Sequence, residues 1–407
     1  MDNVFYKGKT LVHYKPDHCI NCMWLSVCEI PPKYGDWFKW DFICDAHRRK
    51  RNTGCYRRKL KRGVVMDRFY TKDGWINADD VLDNPATFCI CVGGRGIGKT
   101  FGILKAVLDR GLKFIYLRRT QSQIDTIKLK ELNPFKAVND IAGYDIVSGP
   151  LGKYMGGFWH SDDDGKAAGE VVGIAVALST VSNIRGMSTE DFDIVVFDEF
   201  IPEHHERPIR AEETAFLNCM ETFNRNREMQ GKSPLKVVLL SNSNDLDSPI
   251  LQAIGALRPL DEMIRKRQTY RTIADGAVAI YRYLDSPITE KKKSTVLYRV
   301  SNNEDFSGMA LNNEFSKANY ENVQRMDMKQ YQPLVSIGGM TVYEHKSERM
   351  YYVVDGVKSE VVYTLYPNSV AAFMRKYWYI KEAMLLQKIR YASAPIKIAF
   401  EKIWRVV

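Results

Sequence analysis

The sequence lacks several features that would place it outside the class of ordinary globular proteins. No apolar run approaches the roughly 20 residues that a membrane helix needs, and the opening MDNVFYKGKT has no apolar core of a signal peptide. Internal repeats and low-complexity tracts are also absent. We therefore expect a soluble intracellular protein without a membrane partner. Its 407 residues suffice for roughly two to three domains.

Acidic residues are outnumbered, with 49 Asp and Glu against 59 Lys and Arg, which gives a net charge of +10. The stretch RRKRNTGCYRRKLKR, from Arg48 to Arg62, carries nine basic residues and no acidic one. Such a balance favours a polyanionic partner, with nucleic acid as the commonest target. A generally basic surface without a specific partner is the alternative.

Cysteine is scarce after residue 65, because five of the eight cysteines precede it. An intracellular compartment argues against disulfides. Cys19-x-x-Cys22 and Cys44-x-x-His47 instead have the spacing of two ligand pairs for one tetrahedral Zn²⁺. We predict a structural zinc site at Cys19, Cys22, Cys44 and His47. A cluster of reduced cysteines around the aromatic GDWFKWDF is the alternative.

Beyond residue 65, short apolar runs alternate with longer helical patterns, which predicts an α/β fold with a parallel sheet. Residues 152–179 predict a hairpin that turns at Asp164-Gly165 and forms a small insertion or lid. We predict four parts in the chain. They are a zinc-binding basic extension (1–65), the α/β domain (66–285), a linker (286–320) and a small α+β domain (321–407).

A phosphate-binding loop is predicted where GGRGIGKT follows an apolar run and precedes a helical pattern. Backbone N–H groups of such a loop point at phosphates, Lys99 meets the β- and γ-phosphates, and the Thr100 hydroxyl binds Mg²⁺. Arg95 could sense the γ-phosphate, pair with a carboxylate across the site, or be solvated. The predicted ATP ligands are Gly93, Gly94, Arg95, Gly96, Ile97, Gly98, Lys99 and Thr100.

Polar side chains end two other apolar runs. DIVVFDEF ends in Asp198 and Glu199, which predicts a Mg²⁺ carboxylate followed by a general base that activates water. LKVVLLSN ends in Asn242, whose amide could bind the attacking water or the γ-phosphate. A turn role for Asn242 is the alternative. The acid pair favours an ATP hydrolase that uses Mg²⁺.

Four further arginines each have more than one possible role. Arg225 and Arg227 lie between the two runs just described, and either could stabilise phosphoryl charge in its own or a neighbouring subunit. An exposed basic helix end is the alternative. Arg118 and Arg119 end the run FIYLRR, where they could line the nucleotide site or cap the sheet edge.

Taken in order, these segments resemble one family, the DNA-packaging motor ATPases (encapsidation proteins) of small phi-29-type podoviruses. The resemblance covers roughly Met66 to Val407, and its segments are GGRGIGKT, FIYLRR, IVVFDEF, TFNRNRE, LLSN and GMALNNEF. It implies an additional-strand (ASCE) P-loop NTPase fold, followed by an RNase H-like domain that has lost nuclease activity. Glu344 and Asp355 are among the few acids on the strand-like runs there, whereas two-metal cleavage needs several converging carboxylates.

The resemblance also implies a homopentameric ring that hydrolyses ATP and moves double-stranded DNA into a preformed capsid. Lys99 and Glu199 would be catalytic, Arg225 would act as a trans arginine finger, and Arg227 would keep a structural or coupling role. The ring would bind the portal (connector) protein at the procapsid in the host cytoplasm and be absent from the mature virion. Participation of a packaging RNA stays open. The alternatives are another nucleic-acid-stimulated ATPase such as a helicase, a phosphotransferase, or a scaffold whose P-loop only gates assembly.

Overall fold

A computed structural model describes residues 68–405, apart from 185, 204–205 and 302–303, and three short strands nearer the N-terminus. The chain divides into two units, Met1–Val65 and Met66–Val407. In the first unit, β1 (Val4–Tyr6) pairs with β2 (Lys9–His13), and β2 pairs with β3 (Phe42–Ile43), both antiparallel. The predicted zinc ligands and the Arg48–Arg62 run lie outside the described residues, so both stay predictions.

A nine-stranded sheet organises the first part of the second unit. Its spatial order is β11-β12-β4-β10-β9-β5-β8-β7-β6. The strands from β12 to β8 run parallel. At one edge β11 pairs antiparallel with β12, and at the other β7 pairs antiparallel with both β8 and β6. β10 thus lies between β4 and β9. The strands are β4 (Phe88–Gly93), β5 (Phe114–Arg118), β6 (Ile146–Pro150), β7 (Gly156–Ser161), β8 (Ala167–Ala177), β9 (Ile194–Asp198), β10 (Lys236–Ser241), β11 (Tyr270–Ile273) and β12 (Val278–Tyr283).

Helices cover both faces of this sheet, as the fully apolar central strands require. Alternate residues of one strand enter different cores, with Ile90 on one face and Cys89 and Cys91 on the other. The predicted parallel α/β fold is therefore confirmed for this part of the chain. The helices are α1 (Ala78–Leu82), α2 (Lys99–Asp109), α3 (Gln121–Ile127), α4 (Lys136–Ala142), α5 (Glu212–Asn224), α6 (Pro249–Ala253), α7 (Leu257–Arg265), α8 (Pro287–Lys293), α9 (Val296–Val300) and α10 (Glu304–Asn312).

The predicted hairpin exists, but it is not a lid. Strands β7 and β8 are antiparallel and turn at Asp162–Lys166, with Gly165 at φ +70°. The interpretation as a separate insertion is wrong because β8 also pairs in parallel with β5. The sequence pattern identified the turn correctly, but local alternation carries no information about which distant strand a hairpin joins.

The C-terminal part forms a second, five-stranded sheet in the order β16-β13-β14-β15-β17. The run VSIGGMTVYEH, which looks like a single strand, is a hairpin because Gly338 and Gly339 adopt φ of +56° and +82°. Residues 367–385 form two helices that meet at Tyr377. The elements are β13 (Tyr331–Ile337), β14 (Met340–His345), β15 (Tyr351–Asp355), β16 (Val362–Tyr363), α11 (Pro367–Lys376), α12 (Trp378–Leu385), β17 (Ile389–Tyr391) and α13 (Ala394–Arg405).

The last helix, α13, connects the cores of the two sheets. Ile398 packs into one core of the large sheet, whereas Phe400 and Trp404 pack into the core of the small one. A bidentate ion pair adds to this contact, since Arg258 of α7 donates to both oxygens of Asp355 at 2.6 and 2.8 Å. Both sheets therefore belong to one packed unit.

A buried ion pair fixes α5 against the end of β5. Arg119 is fully buried and donates to both carboxylate oxygens of Glu212, the first residue of α5, at 2.7 and 3.1 Å. A further Arg119 nitrogen donates to Glu206 at 2.7 Å. Of the two roles left open for this arginine, the structural one is therefore supported.

We expect Arg119→Ala to destabilise the fold strongly, because it leaves the buried Glu212 carboxylate unpaired. Breaking such a pair costs roughly 3–5 kcal/mol. Arg110→Ala is the matched control, since Arg110 also bridges two carboxylates but lies on the surface with Asp79 and Asp83. Exposed pairs contribute about 0–1 kcal/mol. Thermal denaturation of both variants tests this; equal shifts of the unfolding midpoint would contradict it.

Candidate nucleotide-binding site

The phosphate loop connects β4 to the start of α2, and its backbone is prepared for an anion. Gly96 and Gly98 have φ of +64° and +84°, in the left-handed region that favours glycine. A Cβ at Gly98 would also lie 3.0 Å from Cε3 of Trp75. The first turn of α2 has neither an acidic residue nor a side-chain cap, so its free N–H groups can receive phosphate.

Lys99 lies folded back onto this loop. Its Nζ donates to the carbonyls of Gly93 and Gly94 at 3.0 and 2.7 Å, and to Oδ1 of Asn242 at 3.0 Å. Burial lowers the pKa of Lys99 to about 8, although the nearby Asp198 opposes the shift. The contact brings the predicted residue Asn242, just beyond β10, into the same site as the loop lysine.

The carboxylate of Asp198, at the end of β9, is the centre of the site. It accepts hydrogen bonds from the Thr100 hydroxyl, at 3.1 Å to each oxygen, and from the Tyr116 hydroxyl at 2.7 Å. Burial and the Asp198 charge raise the pKa of Tyr116 well above its usual value, so this hydroxyl stays a donor. A carboxylate beside the P-loop threonine is the donor set that Mg²⁺ requires.

Glu199 follows in a strained backbone conformation, with φ of +55°. A non-glycine residue in this region costs roughly 1–2 kcal/mol, and such strain is common at functional sites. Its carboxylate accepts from Arg118, which also reaches Asp198 at 3.4 Å. Arg118 therefore lines the site, one of the two roles left open for it, and holds both acids of the predicted pair.

Arg95 pairs with a carboxylate across the site, one of the three roles left open by the sequence. Its guanidinium donates to Glu203, four residues beyond Glu199. Its backbone N–H donates to the carbonyl of Ala310 at 3.1 Å, and its carbonyl accepts from Lys292. Residues far along the chain therefore contact the phosphate loop directly.

Arg225 lies at the other end of the sheet from this site. Glu212, at the start of α5, is held beside the end of β5, whereas Arg225 follows the last residue of α5. The 13 residues of α5 span about 20 Å. Arg225 donates to the carbonyl of Met187, while Arg227 donates to the carbonyls of Ser233, Glu190 and Phe192. The structure therefore does not bring Arg225 into the nucleotide site of its own chain.

Three contacts at the site escape sequence reasoning. The sequence pattern indicates only that Tyr116 is a residue of an apolar strand. In the structure it lies on the same strand face as Arg118, two residues before the strand end. Glu203 and Lys292 sit in loop and helix segments whose partners are distant in sequence. Only the position of Tyr116 on a strand that ends at the site could have suggested its role.

The parallel sheet, the glycine-rich loop and the acid at a neighbouring strand end define a P-loop nucleotide-binding protein. The chain belongs to the family of podovirus DNA encapsidation proteins (Gp16), whose sequence profile matches residues 70–392. Membership confirms the resemblance inferred from the motifs.

Individual relatives agree with this assignment. The DNA packaging proteins of Bacillus phages PZA and phi29 are each 26% identical over 253 residues, which is 61% of this chain and 66% of theirs. The phi-29 genome packaging motor structure matches with a TM-score of 0.55 and 18% identity, over 81% of this chain and 98% of its own. The phi-28 gp11 packaging motor structure matches with a TM-score of 0.53 and 19% identity, over 82% of this chain and 97% of its own. At these identities the structures support the fold.

The lowered pKa of Lys99 leads to a pH prediction. Below pH 8 the free site already carries the lysine charge that phosphate needs. Above pH 8 binding must take up a proton, so ATP affinity should fall about tenfold from pH 7.5 to 9. A fluorescent-nucleotide titration measures this. Lys99→Arg should remove the slope, because a guanidinium stays charged throughout. A pH-independent wild type, or an unchanged slope in the variant, would contradict the assignment.

Proposed function

We propose that this chain is a viral DNA-packaging motor ATPase, which hydrolyses ATP to move double-stranded DNA into a preformed capsid. Membership of the encapsidation family and the packaging role named for the phage relatives support this function. The observation that carries the mechanism is that the catalytic groups of one chain are separated in space. The loop and acids lie at one end of the sheet and Arg225 lies at the other.

The fold is then that of an additional-strand P-loop NTPase. The defining feature of this class is an extra strand between the P-loop strand and the strand that bears the acid pair. In this chain β10 occupies that place, between β4 and β9, and it ends next to Asn242. The predicted order of polar groups at the sheet edge fits this assignment.

The residues at the site fit MgATP. The Thr100 hydroxyl and the Asp198 carboxylate would hold Mg²⁺, which would neutralise charge on the phosphates. Lys99 lies on carbonyls of its own loop and can exchange these contacts for phosphate oxygens. Asn242 is beside the lysine, where its amide can orient a water molecule or the terminal phosphate.

Glu199 is the general base in this proposal. Its carboxylate is half exposed at the strand end and accepts from Arg118. While that contact persists, the guanidinium occupies an oxygen of the base, so Arg118 holds Glu199 in a restrained position. Arg118 contacts only Oε2 of this carboxylate, so Oε1 can accept the proton that the attacking water gives up.

Arg225 acts on the nucleotide of a neighbouring subunit. Its own site is a helix length away, so its guanidinium can approach a phosphate only if another copy of the chain supplies the site. Arg227 donates to three carbonyls of adjoining loops and so holds the segment after α5 in place. Closed rings satisfy such head-to-tail contacts, and we propose the homopentamer implied by the family resemblance.

The C-terminal domain, in this proposal, is an RNase H-like domain without nuclease activity. Glu344 lies near one end of the β14–β15 pair and faces Tyr351, whereas Asp355 lies at the other end and faces Met340. The Asp355 carboxylate is bound by Arg258 and Glu344 accepts from Gln332. These two acids cannot converge on one metal in this arrangement, which supports the absence of nuclease activity.

We propose the remaining partners from the resemblance alone. The ring would bind the portal protein at the procapsid vertex. It would be present in the host cytoplasm during assembly and absent from the mature virion. The zinc-binding extension at Cys19, Cys22, Cys44 and His47 would assist docking on portal or nucleic acid. None of the helices in the described part of the chain has the length and apolarity of a membrane span.

Mixing two inactive variants tests the shared site. Glu199→Gln removes the base and Arg225→Ala removes the neighbour's guanidinium. In mixed rings half the sites keep Glu199 and half of their neighbours supply Arg225, so up to about one quarter of wild-type ATPase should return. DNA-stimulated phosphate release from equimolar mixtures measures it.

The matched control mixes Glu199→Gln with Lys99→Ala. Both residues belong to the same chain's site, so no arrangement of these subunits restores activity. Differently tagged subunits should co-purify in both mixtures, which proves that mixed rings form. Failure of the Glu199→Gln and Arg225→Ala mixture to recover, despite co-purification, would refute catalysis across the interface.

A further inference from the structure

Two helices beyond the large sheet lie directly on the phosphate loop. We call α8, α10 and Asn313 together the strap. Both backbone polar groups of Arg95 are held by it, since the Arg95 N–H donates to Ala310 and the Arg95 carbonyl accepts from Lys292. A change in the loop therefore cannot leave the strap unaffected.

The approach of the strap is close enough to require glycine on the loop. A Cβ at Gly94 would lie 2.7 Å from the Ala310 carbonyl oxygen. A Cβ at Gly96 would lie 3.0 Å from Nζ of Lys292 and 3.3 Å from its Cε. The loop glycines thus serve contact with the strap as well as access for phosphate.

The strap is also attached to the strands that carry the site. The buried Asn313, at φ +56°, donates from Nδ2 to the carbonyls of Val92 and Tyr283 at 3.2 and 2.9 Å. These carbonyls lie at the ends of β4 and β12. Within the strap, the Thr289 hydroxyl donates to Leu311 at 3.3 Å and joins α8 to α10. The strap is therefore held to these strands at Asn313, whereas Lys292 reaches the phosphate loop from the last turn of α8.

Three cations surround the loop in this arrangement. Burial and the charge of Arg95 lower the pKa of Lys292, and the charge of Lys292 in turn contributes to the lowered pKa of Lys99. Arg95 has a charged partner, Glu203. On the loop, Lys292 donates only to an uncharged group, the Arg95 carbonyl. Like charges held this close repel one another, and a bound polyphosphate would turn the repulsion into attraction.

The position of Lys99 indicates which phosphate is nearest to the strap. The lysine of this motif meets the β- and γ-phosphates. Its Nζ lies against the carbonyls of Gly93 and Gly94, on the part of the loop that continues to Arg95 and Lys292. The terminal phosphate would therefore come closest to Lys292.

We propose that Lys292 is a further phosphate-contacting residue, which binds the terminal phosphate of ATP and moves the strap with it. The Lys292 ammonium exchanges the Arg95 carbonyl for a γ-phosphate oxygen when ATP is present and returns to the carbonyl when ADP remains. Because the strap leads along the chain into the C-terminal domain, its position reports the nucleotide state to that domain. This inference rests on the proposed function, since it concerns the same nucleotide site.

Separate affinities for ATP and ADP test the proposal. Lys292→Ala should weaken a non-hydrolysable ATP analogue by about tenfold or more, the usual effect of losing one charge-assisted hydrogen bond, and leave ADP within about twofold. Lys292→Arg should restore most of the difference. Lys291→Ala is the matched control, because it removes an exposed lysine one position away and should change neither affinity. Lys292→Gln serves if the alanine variant does not fold.

Hydrogen exchange supplies a second readout. In the wild type, the amides of α10 and of Arg95 should exchange differently with the ATP analogue and with ADP. In Lys292→Ala the two nucleotides should give the same exchange. Equal weakening of both nucleotides would overturn the proposal, because it would show that Lys292 only supports the loop, and unchanged affinities would overturn it as well.

The outcome also separates this inference from the proposed function. A wild-type chain that hydrolyses ATP, combined with an unaltered ATP-to-ADP affinity ratio in Lys292→Ala, would overturn only the role of Lys292. A correctly assembled wild type that binds no nucleotide would overturn both.

Discussion

The nucleotide site depends on one carboxylate. Asp198 joins the loop helix through Thr100 and the neighbouring strand through Tyr116 and Arg118. These groups meet because β4, β10, β9 and β5 run parallel in register, so that their polar ends share one edge of the sheet. The apolar strands supply the stability, and the polar residues that follow them supply the chemistry.

The same regularity separates the two halves of the proposed reaction centre. Helix α5 begins where Arg119 holds Glu212 in a buried pair, and it carries Arg225 away to the opposite end of the sheet. A chain built this way displays its acids on one side and its guanidinium on another. Assembly into a ring would bring the two surfaces together, and hydrolysis would then depend on the contact between subunits.

Much of this site could be predicted from the sequence, because its parts are local. GGRGIGKT specifies the loop, and an acid or amide directly after an apolar run marks a strand end, as with Asp198 and Asn242. The attachment of β8 to β5, the pair of Arg95 with Glu203 and the contact of Lys292 with the loop join residues that are distant in sequence. Such contacts depend on how elements pack, which periodicity and propensity do not encode.

The most direct measurement of a site shared between subunits is the ATPase rate per chain, with DNA present, as the protein is diluted. Sedimentation of the same samples identifies the concentrations at which chains are isolated. We expect the rate per chain to fall towards zero as the rings dissociate, because an isolated chain keeps Asp198 and Glu199 but lacks a neighbour's Arg225. A constant rate per chain at dilutions where only single chains sediment would contradict the shared site.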